Sequence, residues 1–281
     1  MVKAKEIPPW VRATLVLGTF AGLAWLERRR PLRDAVEPKF RREVRNLAVA
    51  ATSAAAIQVA ELPVARPLSE LVERCGWGLL KRRSLPAWLE VPLAVVLLDY
   101  TLYLWHVLVH KVPFLWRFHE PHHVDLDLDA STALRFHFGE MVLSVPWRAA
   151  QIVLIGASPL SLSVWQTATL LEVIFHHSNV RLDPETERWL CRWVVTPRMH
   201  GIHHSVAPEE MNSNWSSGLA LWDRLHGTLR LDVPQREMTI GVPGYRDPRD
   251  VTLPKVLAMP FAAQREPADP LGDARHCAQG E

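Results

Sequence analysis

Apolar residues fall in blocks of membrane-spanning length, separated by polar stretches. The first block, Trp10 to Leu26, is about the minimum needed to cross a hydrocarbon core. Arg12 lies near its start, where a long cationic side chain reaches the interface. The block ends on Glu27-Arg28-Arg29-Arg30, and KFRREVR follows at 39–45. Two basic clusters after a span place that side in the cytoplasm. A second block, Leu47 to Leu62, is rich in Ala and Val and is interrupted near its end by Gln58 and Glu61. The segment from Pro63 to Pro86, with KRRS at 81–84, reads as an amphipathic piece lying at the interface.

From Trp88 the sequence WLEVPLAVVLLDYTLYLWHVLVH is apolar for most of its length, with Asp99, His106 and His110 in its second half. Polar residues in a span are costly and usually face a site or a cavity. A polar stretch to Glu140 follows, then an apolar run from Met141 to Phe175, broken at Gly156-Ala157-Ser158-Pro159 as a hairpin of two spans would be. The hairpin returns the chain to the side it left, so residues 106–137 and 176–204 share one face of the membrane. Counting from the basic clusters, that face is cytoplasmic. The pattern predicts an all-α protein: an integral membrane helical bundle of about four spans with a cytoplasmic helical cap. Residues 1–85 form a membrane anchor region, 86–232 a catalytic domain and 233–281 a polar tail.

Composition refines this picture. Of 281 residues 48 % are apolar, and the mean hydropathy is zero, so a sizeable portion faces water. A net charge of only +2 gives no basic field for nucleic acid. Cys75, Cys191 and Cys277 are scattered, with no CxxC pattern, which argues against a disulfide framework or a thiolate zinc site. The first apolar block runs straight into ERRRPLR without a small-residue cleavage site, as a retained anchor does. Trp10, Trp25, Trp88 and Trp105 lie near predicted span ends, as in an interfacial aromatic belt.

Histidine changes the picture most. There are 13, and eleven lie between His106 and His204. His106 and His110 are spaced i,i+4, so on a helix both imidazoles project from one face. His119, His122 and His123 form an HxxHH box, and His200, His203 and His204 repeat it. His137, in RFHFGE, and the pair His176-His177, in FHHSN, complete the set. A lone HxxxH is more often a packing pair. Two HxxHH boxes beside it, with further histidines, point instead to metal. Imidazole suits iron and zinc, and nine or ten convergent nitrogens exceed what one ion of four to six ligands takes. They suit two ions. HEPHH at 119–123 also satisfies the zinc-protease pattern HExxH, with Glu120 as its base. Pro121 inside the motif, and Gly201 where the second box would need glutamate, count against that reading.

The residues DYTLYLWHVLVHKVPFLWRFHEPHH, TALRFHFGE, FHHSNVRL, TPRMHGIHHS and NWSSGLALWDRLHGT, within 99–228, resemble the fatty acid hydroxylase superfamily, which includes sterol desaturases and alkylglycerol monooxygenase. The resemblance implies two irons, with zinc possible in isolated protein, and O2 as co-substrate. It carries His106, His110, His119, His122, His123, His200, His203 and His204 over as ligands and catalytic residues, with His137 in an RxHPxE-like segment. One of His176 and His177 is a further ligand; the family pattern favours His177, and a shifted register selects His176. Phe138, His226 and Asn214-Trp215-Ser216 depart from the family pattern outside the boxes. A ligating imidazole normally donates its other N–H to a carboxylate or carbonyl; Asp99, Glu140, Asn179, Asn214 and Asp223 are candidates for holding the imidazoles in this way.

The implied activity is O2-dependent hydroxylation of a C–H bond in a lipid (sterol, fatty acyl or ether lipid), with desaturation as the alternative outcome of the same site. A bilayer-borne lipid substrate and a separate reductase, ferredoxin or cytochrome are the expected partners, because the chain carries no GxGxxG, CxxC or CxxCH pattern. The rivals are a non-oxidative membrane metal-binding or transport protein and a zinc hydrolase.

Overall fold

The computed structural model describes residues 6–265; the remainder of the predicted tail, with Cys277, lies outside them. Among these residues the protein is helical and contains no strand, only isolated β-bridges. α1 (Pro9–Arg29) opens on Pro9, which needs no N–H donor at the first helical position. α2 (Lys39–Ala56) continues through one π-helical turn (Ile57–Glu61) into α3 (Leu62–Cys75). α4 (Ala87–Lys111) is the most apolar of the long helices. Four helical stretches are long and apolar enough to cross a bilayer: Pro9–Arg29, Lys39–Arg82, Ala87–Lys111 and Phe138–Ile155. The chain is an integral membrane protein.

The stretch 63–86 does not lie alone at the interface as its composition suggests. α3 packs along α7 (Val145–Ile155), with Ala65 and Val72 in a core shared with Ala94, Leu98 and Ile152. The helix survives Glu61 and Pro63 for physical reasons. Glu61 is paired with Arg148 at 3.2 Å, and Pro63 comes directly after the π-helical turn, where the backbone hydrogen-bond pattern is already shifted. Gly156 (φ 82°) caps α7 and turns the chain into α8 (Pro159–His177), at the break read from the sequence. α8 has 19 residues but falls short of the apolarity of the other four spans.

Two features aim the histidines at one another. Val112, preceding Pro113, is extended (φ −97°, ψ 111°), as a residue before proline prefers. That corner ends α4 and starts α5 (Pro113–His123), folding the HxxxH turn back over the HxxHH turn. Pro121 does not break α5, contrary to expectation. It lies in the last turn, and the Val124 N–H still reaches the Glu120 carbonyl at 3.0 Å.

The second feature is a buried ion network beneath α5. Asp125 accepts from Arg42 Nη1 (2.9 Å), Asn46 Nδ2 (2.8 Å), Thr132 Oγ1 (2.8 Å) and Arg45 Nη2 (3.1 Å). Arg42 also bonds Asp129, and fully buried Arg135 donates to the Pro121 carbonyl (2.8 Å) and Asn46 Oδ1 (2.8 Å). The alternating aspartates of VDLDLDA therefore pair with the basic cluster at 39–45. Arg42 and Arg45, counted above toward orientation, are neutralised inside the fold. Burial alone would raise the Asp125 carboxyl, but the guanidinium groups of Arg42, Arg135 and Arg45 hold it well below the usual carboxylate range.

Residues 233–265, read as the start of a polar tail, pack back on the bundle. Val242, Tyr245, Val251 and Val256 of this segment join Val49, Val124 and Leu126 in one core. α13 (Leu253–Ala258) lies there against α2, after the short helices α9 (Pro184–Leu190), α10 (Pro197–His203), α11 (Pro208–Met211) and α12 (Leu221–His226). α6 (Phe138–Leu143) precedes α7. Trp10, Trp25 and Trp88 are exposed at helix ends, whereas Trp105 lines an internal cavity.

Removing the Asp125 charge leaves buried guanidinium groups uncompensated. Asp125→Asn should destabilise the protein by about 3–5 kcal/mol, read as a lower unfolding midpoint in detergent. Because its folded pKa is depressed, the Asp125 contribution is complete above the unfolded value of about 3.9. It declines only as the pH falls below that, so wild type and variant should converge in strong acid.

Candidate metal centre

Four elements bring the imidazoles together. The last turns of α4 supply His106 and His110, and α5 supplies His119, His122 and His123. The C-terminal turn of α8 carries His176 and His177. α10 carries His200 and His203, with His204 at its C-cap; Thr196 caps its N-terminus by accepting from the Met199 N–H, and Pro197 opens it.

Nine of these side chains form two groups in which all candidate ligand atoms lie within 4.8 Å of one another. The first holds His106, His110, His119, His123 and His203; the second holds His122, His177, His200 and His204. Each HxxHH box is divided between them. In α5 the i,i+4 pair His119 and His123 joins the first group and His122 the second. In α10 the assignment is reversed: His200 and His204 join the second group and His203 the first.

The geometry fits ligation. Nε2 atoms are 3.0 Å apart between His122 and His177, His177 and His200, and His200 and His204, and 3.2 Å apart between His119 and His123. Two nitrogens bound at 2.0–2.1 Å to one ion stand roughly 2.9–3.4 Å apart at octahedral to tetrahedral angles. Four outward nitrogens are engaged, as a ligating imidazole normally requires, whereas Nδ1 of His122, His123, His200 and His204 is buried with no partner among the described residues. The Nδ1–H of His106 donates to the Trp215 carbonyl (2.7 Å), that of His177 to the Val173 carbonyl (2.8 Å) and that of His203 to the Ser213 carbonyl (2.9 Å). His119 Nδ1 lies 3.1 Å from both Glu140 oxygens. With Nδ1 protonated, each of these rings turns its Nε2 lone pair inward. His110 Nε2 and His203 Nε2 are buried without a hydrogen-bond partner among the described residues, an arrangement that costs stability unless a cation fills it. Burial first, and neighbouring imidazoles second, hold His122, His123, His200 and His204 well below the ordinary histidine value. They are neutral donors at pH 7.

The other predicted site residues take different places. His137 lies in neither group; its Nδ1 caps α6 by accepting from the Gly139 N–H (3.0 Å), and its Nε2–H donates to the Leu257 carbonyl (3.1 Å). His176 is buried with its ring centroid 4.1 Å from that of His200, outside both groups. Of the five carboxylate and amide candidates, Glu140 meets an imidazole. The other four hold backbone. Asp223 accepts from the N–H groups of Trp215 (2.9 Å) and Ser216 (3.0 Å), fixing the carbonyl that His106 uses. Asp99 accepts from the Leu219 N–H (3.0 Å) and Trp222 Nε1 (2.7 Å), and Gly218 leaves no room for a Cβ against it. Asn214, at φ 51°, donates to the carbonyls of Met199 (2.9 Å) and Arg230 (2.8 Å). Asn179 clasps the backbone of Arg33. His226 stacks on Tyr103. Glu120 lies outside both histidine groups and accepts from Gln264 (2.8 Å). Burial pushes its carboxyl up to about 7.

The carbonyls of Ser213 and Trp215 carried no signal in the sequence, since any residue offers one. Nor did the cavity that opens beside the histidines. It measures about 460 Å³, and His106, His119, His122, His177 and His200 line its inner end. Its walls are apolar: Leu102, Trp105, Leu134, Phe136, Met141, Leu170 and Val173.

Residues 91–228 match the fatty acid hydroxylase family. Ornithine lipid hydroxylase OlsE of Rhizobium tropici is 33 % identical over 162 residues, covering 57 % of this chain and 47 % of that protein. Alkylglycerol monooxygenase of Xenopus tropicalis is 28 % identical over 142 residues, 50 % of this chain and 30 % of its own length. Cholesterol 25-hydroxylase of Rattus norvegicus is 26 % identical over 154 residues, 54 % of this chain and 50 % of its own. The chain thus spans half or less of the length of each of these relatives. No solved structure matches it.

Elemental analysis of purified protein should find two metal ions per chain. Either His203→Ala or His204→Ala should lower that content, each acting on a different group. Glu140→Gln, which weakens the hold on His119, should reduce metal affinity about 10–100-fold, measured by competition with a chelator.

Proposed function

The chain belongs, through residues 91–228, to the fatty acid hydroxylase superfamily, and from that premise we propose that it is a membrane-bound oxidoreductase that hydroxylates a C–H bond of a lipid with O2 and electrons from a separate protein. The observation that carries this reading is the junction of two imidazole groups with an apolar cavity. The first group would be held by His106, His110, His119, His123 and His203, and the second by His122, His177, His200 and His204. Two irons in these groups would supply O2 activation, chemistry no side chain here performs.

The protein's own residues do the rest. The carbonyls of Trp215, Val173 and Ser213 and the Glu140 carboxylate keep the imidazoles oriented with lone pairs inward. Leu102, Phe136, Leu170 and Val173 exclude water and lay an alkyl segment against the imidazole end of the cavity. Lipid would enter from the bilayer, and the histidine face would look to the cytoplasm, where a soluble or membrane-attached reductase can reach it. Desaturation is the alternative outcome at the same centre. The hydrolase reading lacks geometric support, because Glu120 is outside both histidine groups and the cavity lining.

The test is lipid mass spectrometry on detergent-purified protein supplied with iron and an electron donor. An O2-dependent gain of 16 mass units, about the mass of one oxygen atom, is expected in wild type and absent in His122→Ala and His203→Ala. A loss of two hydrogens instead would identify a desaturase. Products formed without O2 would overturn the reading.

A further inference from the structure

Away from the histidines the cavity loses its apolar character. Glu61, Arg148, Gln151 and Gln166 also line it. Along α8, Gln166 precedes His177 by eleven residues, roughly 16 Å of helix, with Thr169, Leu170 and Val173 between them on the same face. Glu61 arrives from the π-helical turn, a local irregularity that often marks functional sites. A charged pair within spans is costly, and in membranes it marks a site by default.

The hydrogen bonds of this cluster leave capacity unused. Arg148 donates from Nε to Glu61 Oε1 (3.2 Å) and from Nη1 to Gln151 Oε1 (2.6 Å), and its guanidinium stacks on Trp165 at 4.2 Å. Gln151 is held in turn, donating to Thr101 Oγ1 at 2.6 Å. Arg148 Nη2 has no protein partner among the described residues. The Trp165 indole N–H, on a side chain 2 % exposed, also has none. Arg12 adds a second guanidinium to the cavity lining. Donors outnumber acceptors, and the Glu61–Arg148 pair already balances its own charge. Such a cluster is complementary to a hydrogen-bond acceptor.

The geometry points to this cluster as the specificity determinant of the cavity: Arg148, with Trp165 and Gln166, holds an acceptor oxygen of the lipid, a hydroxyl or carbonyl, while the chain beyond it extends to the histidines. This inference rests on the reading of the cavity as a lipid site. It names the substrate class as lipids with one oxygen function set a fixed distance from the reacting carbon, and it excludes plain hydrocarbons. Arg148 is a positioning residue. It selects which carbon is presented and is remote from the imidazole groups.

The test is equilibrium binding of radiolabelled hexadecan-1-ol, methyl hexadecanoate and hexadecane to detergent-purified protein. Either oxygenated probe should bind about tenfold more tightly than hexadecane, the worth of one well-made hydrogen bond in a dry site; whichever binds tighter identifies the source of the oxygen. The preference should vanish in the double variant Glu61→Met/Arg148→Met, which removes both charges together and so avoids an uncompensated ion. It should weaken in Gln166→Leu, a variant that leaves the ion pair intact. Equal binding of all three probes, or a preference unchanged in the double variant, overturns the inference and makes the pair purely structural. Because binding is read without turnover, a failed oxygenase assay beside an intact preference counts against the proposed reaction alone.

Discussion

Nine imidazoles facing one another in the protein interior are the constraint on which the rest of this structure depends. Their lone pairs repel, and burial strips them of water, so the arrangement is favourable only around cations. Holding it ready requires that α4, α5, α8 and α10 all end at the same place. Each achieves this by a local device: the Val112-Pro113 corner, the Pro121-tolerant last turn of α5, the Ser158 cap and Pro159 start that set the phase of α8, and the Thr196 cap of α10.

Around the imidazoles stands a shell of groups that are polar because they must be, and satisfied because they are buried. The carbonyls of Ser213 and Trp215 can serve His203 and His106 only if the loop from 213 to 219 is rigid. Asp223 and Asp99 make it so by accepting its backbone N–H groups. Beneath α5, the network of Asp125, Arg42 and Arg135 does the same for the chain that leaves His123. Gly201, in the second HxxHH box, is small for a comparable reason: the guanidinium of Arg33 occupies the space a Cβ would need. Arg33 in turn bonds Gln235 (2.6 Å), tying the segment after 232 to α10.

The cavity joins two environments of opposite demand. At the histidine end the walls are apolar, as the proposed function requires of a site for an alkyl segment. At the other, the Glu61–Arg148 pair survives within the spans only because each partner neutralises the other and Trp165 covers the guanidinium. The same helices supply both ends, since residues three or four apart on α6, α7 and α8 share one face. A single cavity therefore has both apolar walls and a charged pair in its lining.

The spans and the histidine boxes were legible in the sequence, because hydrophobic blocks and i,i+4 spacing are local properties that survive without tertiary context. So was a candidate metal site, since imidazole in such number has few other uses. The division of each HxxHH box was not: i, i+3 and i+4 lie on one helical face, and only the partner helix decides which ring turns to which ion. For His176 and His177 local spacing gave no choice, and the fold brings His177 to the second group and sets His176 against His200. His137 looked like a ligand by composition and sits as a helix cap, because a ring beside Gly139 finds the free N–H of α6 first. Asp125 and Arg42 are 83 residues apart, too far for any sequence window to pair them. Burial then turned what read as a topology signal into the support of the metal centre. Spacing along the chain determined which residues could act together; the fold decided which of them do.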